Sequence, residues 1–535
     1  MISLEVEMVA DSAAVLTLPG MTIDEIEEKS KLQKSLRRFD LVFFLICTLV
    51  GLDTIGAVAK NGAQGFTWLV FLGIFFFVPY GLLMAELGSA FPFEGGPYVW
   101  SRLAFGRLVA AIVTVLYWLS NPIWLGGTLT ILAISAFGDF FTPLHGFGKL
   151  LFALVFIWFA VVSAIVSFRL GKWIPSIGAF VRVGVLGFFT LSVLLYAAHN
   201  GVHGFGASAF SPGYAVFIAA VPVLIFNYVG FELPSSASEE MVDPRKDVPR
   251  TIAWSGLGAI LLYGIPILAI LLILPASKVT GVGGFLDAIK QVFTVYGGSV
   301  AADGTVTLTG AGKVLGDLGA IAFIWALLSS GTTWIMGADR TQAAAGFDGS
   351  APRPLGRINR RFGTPLTVNV LTGIFSTIVM LLAFWLSGGN AERYFAAVLG
   401  LAISTTTISY LGIFPALVRL RHTQPEAPRP YRVPGGTAGV WIVTVLSTLW
   451  ALVATISLLW PGFGVGWFGT GGNPDDSLPA GIGRGAFELT QILPLLVMIA
   501  VGVVFYLAGA PTRAHRASAA EVSAADQRGI GTAPG

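Results

Sequence analysis

Twelve long apolar segments restrict what this sequence can fold into. Each is about as long as the ~20 mostly apolar residues that an α-helix needs to cross a bilayer. The chain is 55% hydrophobic and 11% charged, whereas soluble domains carry roughly 25% charged residues. Buried helices of a soluble protein would still need polar outer faces. The sequence therefore predicts an all-α integral membrane protein with twelve transmembrane helices, near residues 40–60, 66–90, 109–137, 149–168, 174–198, 213–233, 251–274, 317–337, 366–387, 394–419, 437–460 and 487–508.

The distribution of lysine and arginine supports this number of spans. With the N-terminus inside and the sides alternating, 24 of the 32 Lys and Arg residues fall in inside segments and 7 in outside segments. Cytoplasmic loops carry such an excess. We therefore expect cytoplasmic tails at 1–39 and 511–535, and a transmembrane domain at 40–510 in the cell membrane. Apolar residues at helical spacing in 283–293 predict a short helix on the outer surface.

Composition excludes several classes of function. Cys47 is the single cysteine and the five histidines lack metal-site spacing, so we assign no metal and no cofactor. A net charge of +3 spread along the chain argues against nucleic-acid binding. No cluster of reactive residues indicates an enzyme, and the spans have too few polar residues for a channel pore. A membrane sensor without transport stays open, as does the oligomeric state.

The first and sixth spans carry residues that weaken a membrane helix. In "CTLVGLDTIG" (47–56) Asp53 stands between Gly51 and Gly56, and "FNYVGFELP" (226–234) combines polar residues, glycine and proline. Glycine costs a helix interior roughly 1 kcal/mol, and unwound backbone is tolerated in a membrane only beside a cavity. Broken helices five spans apart are typical of a five-plus-five inverted repeat with a midplane binding site. The alternative is that these glycines are close-packing contacts between helices.

Asp53 is the sharpest single signal in the sequence. A charge at the centre of a span costs at least ~2.5 kcal/mol, so such residues face a cavity or a partner. We expect Asp53 to line the substrate pathway. A structural ion pair or hydrogen bond is the alternative.

Four segments resemble the amino acid–polyamine–organocation transporters. They are "AELGSAFPFEGGPYVWSRLAFG" (85–106), "FNYVGFELPSSASEEMVDPRKDVPRTI" (226–252), "GADRTQAAAGFDGSAPRPLGRINRRFGTP" (337–365) and "RLRHTQPEAPRPYRVPGG" (419–436). They stand in the family's order and cover most of the region from about 40 to 460. The resemblance implies a five-plus-five repeat with broken helices 1 and 6. It also implies secondary transport of an amino acid, with a polyamine or other organic cation as the alternative substrate.

The resemblance also implies a small-residue motif, Gly-Ser/Thr-Gly, in the first broken span. The matching positions here read Thr54-Ile55-Gly56, directly after Asp53. A carboxylate there favours a substrate with more positive charge. The candidate substrate-binding residues are Asp53, Thr54, Gly56, Asn121, Phe226, Tyr228 and Gly230. Asn121 is alternatively a bond between helices, and the two aromatic residues are alternatively packing.

Arg182 lies in the fifth span, where the resemblance places the cation of sodium-coupled relatives. A fixed positive charge makes sodium unnecessary there, so we expect sodium-independent proton symport or exchange. If the fold holds, Ser329 and Ser330 of the eighth span lie near its guanidinium. Snorkelling of Arg182 to the membrane surface is the alternative.

Charged loop residues form a further candidate group, either a cytoplasmic gate or solvated charges. We expect Glu86 and Glu94 to pair with Arg102 or Arg107. A second set lies close together after the sixth span, namely Glu239, Glu240, Arg245, Lys246 and Arg250.

The charge distribution makes a topology prediction. A reporter fused after Arg361 or after Arg432 reads cytoplasmic, and one inserted in 281–310 reads external, because arginine-rich loops stay on the inside. Reporter activity measured in whole cells checks this. A reversed reading at any of the three positions contradicts the twelve-span topology.

Overall fold

The computed structural model describes residues 32, 34 and 36–515, except 171–172, 203–205, 276–278, 280–282, 387–390, 468 and 479–481. The predicted N-terminal tail up to residue 31 and residues 516–535 of the predicted C-terminal tail lie outside these residues. Residues 510–515 are helical, so the last helical segment runs into the region predicted as a tail.

The described chain is mostly α-helical, with one small β-hairpin. The helices are α1 (Arg38–Leu49), α2 (Ile55–Ala59), α3 (Gly62–Leu72), α4 (Val78–Ala90), α5 (Gly96–Phe105), α6 (Arg107–Ile123), α7 (Thr130–Phe140), α8 (Gly146–Leu170), α9 (Trp173–Asn200), α10 (Tyr214–Phe226), α11 (Pro244–Ile273), α12 (Gly284–Phe293), α13 (Gly310–Phe347), α14 (Leu366–Leu386), α15 (Ala391–Ile413), α16 (Ala416–Thr423), α17 (Gly436–Leu459) and α18 (Arg484–Ala508). The antiparallel hairpin pairs β1 (Gly298–Val300) with β2 (Val306–Leu308).

Ten helical segments of the described residues are long and apolar enough to cross a membrane. The first and sixth predicted spans are not among them, because each is interrupted. The first divides into α1 and α2, and the sixth divides into α10 and a 3-10 segment, Leu233–Glu240. A mostly helical membrane fold is thus established, and the twelve-span number and the inverted repeat stay predictions.

A π-helical segment, Trp124–Leu129, joins α6 to α7, and the three together form one long span, Arg107–Phe140. π-Helical turns inside α-helices are frequent at functional sites. Gly126 packs against the backbone of α14, so that a Cβ built on it would lie 2.8 Å from the carbonyl carbon of Ser376. The two spans are therefore in direct backbone contact at the turn that begins with Trp124.

The short helix predicted at 283–293 forms as α12, and its apolar face is covered by other helices. Its apolar residues, among them Phe285, Leu286 and Ile289, are buried. The Cα of Gly56, in α2, would lie 3.0 Å from a Cβ on Gly284, so these two helices nearly touch. The apolar face of α12 packs on α2, α9 and α13, and the position of this helix on the outer side of the membrane stays a prediction.

The contact between the π-helical segment and α14 leads to a prediction about stability. Gly126→Ala forces a methyl group into the Ser376 backbone, and such overpacking costs roughly 1–3 kcal/mol. The melting temperature of the purified protein in detergent measures the effect. Gly187→Ala is the matched control, because a Cβ on Gly187 meets nothing within 4 Å. Equal melting temperatures for the two variants would contradict the close contact.

Candidate functional site

The backbone of the first span is open at residues 50–54, between α1 and α2. Tyr263 of α11 satisfies two backbone groups where α1 ends and the break begins. Its hydroxyl accepts the Gly51 N–H at 2.7 Å and donates to the Leu49 carbonyl oxygen at 2.9 Å. Unwound backbone inside a membrane needs such partners. Tyr263 therefore stabilises the opening in which Asp53 stands.

The sixth span opens after Phe226 and continues as a 3-10 segment from Leu233. Gly230 has φ +131°, a conformation that L side chains rarely adopt. Two neighbouring backbone amides, those of Gly230 and Phe231, donate to the Tyr80 hydroxyl at 2.9 Å each. A Cβ on Gly230 would collide with Thr48 of α1, so glycine lets the two breaks approach each other.

A cavity lies between the two breaks. It brings together three of the seven predicted substrate-binding residues, Asp53, Thr54 and Phe226. Its lining residues are Thr48, Leu49, Gly51, Asp53, Thr54, Trp124, Phe226, Val229, Tyr263 and Trp334. None of these ten carries a positive charge. Asp53 is the only carboxylate among these ten residues, and the guanidinium of Arg182 lies outside the lining, on the carbonyl oxygen of Val50 in the same break.

Asp53 is 3% exposed, and its two carboxylate oxygens differ. The Trp124 indole N–H donates to Oδ2 at 2.9 Å. Oδ1 accepts no hydrogen bond from any described residue. A buried carboxylate oxygen without a donor is costly. Asp53 is thus half satisfied by the protein, and Oδ1 is a buried acceptor that lacks a donor among the described residues.

Aromatic rings form much of the cavity wall. The Trp124 ring meets Phe226 edge to face at 5.9 Å between centroids, and it meets Trp334 in the same manner at 6.1 Å. Aromatic faces attract organic cations, more so where water is excluded. A carboxylate oxygen among such rings is suited to an ammonium group.

The other four predicted substrate-binding residues lie outside the lining. Tyr228 donates its hydroxyl to the Leu69 carbonyl oxygen at 2.9 Å, Gly56 faces α12, and Gly230 shapes the backbone. Asn121 is buried, and its amide has no hydrogen-bond partner among the described residues. It lies on the same face of α6 as Tyr117, since residues four apart share a helix face.

A second buried carboxylate, Glu232, lies in the opening of the sixth span. Tyr117 and Tyr410 donate to its Oε1 at 2.9 Å each, and Tyr80 donates to Oε2. The sequence showed this charge in an apolar run, the same signal that marked Asp53, but we did not select it. Its three tyrosines gave no signal, because aromatic residues are common in spans. Unlike Asp53, Glu232 has a donor on each oxygen.

Seven lining residues were not among the predicted site residues: Thr48, Leu49, Gly51, Trp124, Val229, Tyr263 and Trp334. Each belongs to an apolar segment in which such residues usually serve packing. Only the fold brings them to one place. Pro122 inside α6 and the glycines of the following π-helical turn were the available signal for Trp124.

Arg182 is fully buried in α9, so it does not snorkel to the membrane surface. Its Nε donates to the carbonyl oxygen of Val50, in the break of the first span, at 2.8 Å. Its other donors bind Gly178 O at 2.9 Å, Ala326 O at 2.5 Å, Ser329 Oγ at 2.9 Å, Ser330 Oγ and Cys47 Sγ at 3.1 Å. The guanidinium therefore joins α1, α9 and α13, and Ser329 and Ser330 lie beside it.

The charged loop residues pair differently from the expectation. Glu86 accepts two hydrogen bonds from Arg421, at 2.5 and 2.7 Å, and one from the Val433 amide at 2.7 Å. Arg340 donates to Glu240 at 2.7 Å. The predicted pairs joined residues close in sequence, whereas the fold offers buried partners from distant loops.

Arg102 and Arg107, which we expected to pair with Glu86 or Glu94, both contact Asp348 instead. Asp348 directly follows α13, and the Tyr98 hydroxyl also donates to it at 2.6 Å. This cluster ties α5 to the end of α13. No group of three or more His, Cys, Asp or Glu among the described residues is arranged to hold a metal ion.

Comparison with known proteins decides the family. The model of the family described as "Amino acid permease" matches residues 36–469. The chain belongs to this family of transporters. The match confirms the resemblance inferred from the four loop and span segments, and it makes the chain a multi-pass membrane transporter and not an enzyme.

Relatives of this permease differ in their named substrates. An uncharacterized transporter of Legionella pneumophila is 27% identical over 79% of this chain and 89% of its own length. A probable agmatine/putrescine antiporter of Lactococcus lactis, AguD, is 26% identical over 79% of this chain and 86% of its own length. The branched-chain amino acid permease BcaP of Bacillus subtilis is 25% identical over 81% of this chain and 90% of its own length.

The fold of this permease also matches solved transporters. A manganese transporter of Eremococcus coleocola, crystallised with a bis-isothiourea compound, superimposes with a TM-score of 0.54 at 13% identity. The match covers 93% of this chain and 97% of that one. At this identity the likeness concerns the fold alone.

Proposed function

We propose that this permease is a secondary transporter of small organic amines across the cell membrane. The observation that carries the proposal is the free Oδ1 of buried Asp53 in the aromatic cavity. In this proposal the substrate's ammonium group donates to Oδ1, and the rings of Trp124 and Trp334 surround its apolar part. Thr54 and Phe226 complete the contact surface.

Electrostatics favour a cation over a zwitterion in this cavity. A buried carboxylate needs a charge partner and hydrogen bonds. None of the ten described lining residues carries a positive charge, and the guanidinium of Arg182, outside the lining, is engaged by Val50 O, Ala326 O and Ser329 Oγ. An amino acid would also bring a carboxylate, which would meet Asp53 without an Arg or Lys in the lining to receive it. The agmatine/putrescine relative is consistent with this reasoning.

Transport of a neutral amino acid is the second candidate. The similarity to a branched-chain amino acid permease favours it, at nearly the same identity as the amine antiporter. In that case Asp53 contacts the amino group. The amide of Asn121, which lies outside the lining and has no hydrogen-bond partner among the described residues, is a further proposed contact for the substrate.

The Glu232 cluster provides a barrier in this account. On α6, Tyr117 precedes Trp124 by seven residues, which is roughly 10 Å along the helix axis. Because α6 begins at the predicted cytoplasmic side, the three tyrosines around Glu232 lie between the cavity and the cytoplasm. Opening of this side then requires that at least one tyrosine leaves Glu232. The orientation of the termini follows the charge distribution and is part of the proposal.

Arg182 determines the expected ion dependence. Its guanidinium already binds the carbonyl oxygen and hydroxyl groups where α1, α9 and α13 meet, and a fixed positive charge repels Na⁺. We expect uptake into proteoliposomes at the same rate in sodium, potassium and choline buffers, whether the cycle is exchange or proton symport. Loss of uptake on removal of sodium alone would contradict this role.

Asp53→Asn tests the amine contact. The variant keeps the side-chain size and an oxygen for the Trp124 N–H, but it removes the charge. A hydrogen bond to a charged group contributes ~1.5–3 kcal/mol, so affinity for 1,4-diaminobutane should fall roughly 10- to 150-fold. Isothermal titration of the purified protein measures it.

Asp339→Asn is the matched control for Asp53→Asn. Asp339 is also a buried carboxylate, but it accepts from Asn369 at 2.7 Å and from Thr372 at 2.8 Å and does not line the cavity. Its variant should leave the affinity nearly unchanged. Equal binding by the Asp53 variant and the parent protein would show that Asp53 is structural.

A further inference from the structure

Trp124 forms a hydrogen bond to one of the two carboxylate oxygens of Asp53, and this bond bears on which cationic head groups can bind there. Its indole N–H donates to Oδ2 at 2.9 Å, while Oδ1 has no donor among the described residues. A guanidinium binds a carboxylate best through two parallel hydrogen bonds, one to each oxygen, whereas an ammonium is a point charge that needs only one.

We infer that Trp124 is the specificity-determining residue of this permease and makes the cavity select ammonium over guanidinium head groups. This rests on the proposed function, because it assumes that the cation meets Asp53. The family match and the relatives do not supply it, since one of them is named for both an amine and a guanidine substrate.

Gly51 and Tyr263 border Oδ1 of Asp53. Gly51 has no side chain there, and a Cβ on it would lie 2.5 Å from Oδ1 and 3.4 Å from the Tyr263 hydroxyl oxygen. The Tyr263 hydroxyl is already engaged as donor and acceptor by the open backbone. A single N–H donor at Oδ1 gives that oxygen its missing partner, whereas a fork of two donors must also reach Oδ2 and compete there with the indole N–H of Trp124.

Trp124 cannot easily turn away to release Oδ2. Gly126 and Gly127 press the π-helical turn against Ser376 of α14 and Val398 of α15. Phe226 and Trp334 pack edge to face on its ring. The backbone contacts and the two rings together hold the indole N–H toward Asp53.

The test compares two probes that differ only in their head groups, 1,4-diaminobutane and 1,4-diguanidinobutane. The parent protein should bind the diamine at least about tenfold more tightly, because one charged hydrogen bond is worth a factor of about ten or more. Trp124→Phe keeps a ring but frees Oδ2. The affinity ratio should then move by about tenfold toward the diguanidine, as measured by isothermal titration of the purified full-length protein.

Trp118→Phe is the matched control. This variant removes another buried indole N–H of the same membrane span, which donates to the Thr372 hydroxyl at 2.8 Å. Neither Trp118 nor Thr372 lines the cavity, so the variant should leave the affinity ratio unchanged. If Trp124→Phe has the parent's ratio while Asp53→Asn weakens both probes, the inference about Trp124 is wrong and the proposed function stands.

Two other outcomes are equally decisive. If Asp53→Asn binds both probes as the parent does, the proposed function fails and the inference fails with it. If the Trp124 variant does not fold, the parent protein alone still decides, because binding of the diguanidine as tight as that of the diamine would overturn the selection of ammonium.

Discussion

A helix can open inside a membrane only if its freed backbone groups find partners, and the site depends on how this chain meets that requirement. Arg182 binds the Val50 carbonyl oxygen, and Tyr263 binds the Leu49 carbonyl oxygen and the Gly51 N–H where α1 ends. Both come from neighbouring helices, α9 and α11. Without these contacts each unpaired group would cost several kcal/mol in lipid, and Asp53 would have no open backbone in which to stand.

The two buried carboxylates of the breaks illustrate different uses of one chemical group. Glu232 has a tyrosine donor on each oxygen and joins three helices around it. Asp53 has one donor and one free oxygen beside a glycine. A satisfied buried polar group rigidifies a structure, whereas an unsatisfied one needs a specific explanation, and for Asp53 beside a cavity we propose a ligand. This difference is why we assign substrate contact to Asp53 and closure to Glu232.

Several parts of this architecture could be predicted from the sequence, because they are local properties. Ten uninterrupted apolar segments and the two interruptions at Asp53 and Gly230 follow from hydropathy, glycine and charge within single windows. Arg182 was recognisable as a charge in a span, and the fold places Ser329 and Ser330 beside it. The family resemblance, and not the spacing of residues in the sequence, had indicated that these two serines lie near Arg182.

What could not be predicted depends on contacts between distant segments. Trp124 looked like any aromatic residue of a span until the fold placed it 2.9 Å from Asp53. The loop ion pairs were wrong for the same reason, since Glu86 bonds to Arg421, 335 residues away, and not to its sequence neighbours. Tyr228 was expected at the site, but the opening of α10 turns it toward α3.

The most direct test of this account is an experimental structure of the permease with 1,4-diaminobutane bound. The account predicts one substrate nitrogen within hydrogen-bond distance of Asp53 Oδ1, roughly 3 Å, with the Trp124 N–H still on Oδ2. A diamine bound away from Asp53, for example against Glu232 with the tyrosines displaced, would contradict it.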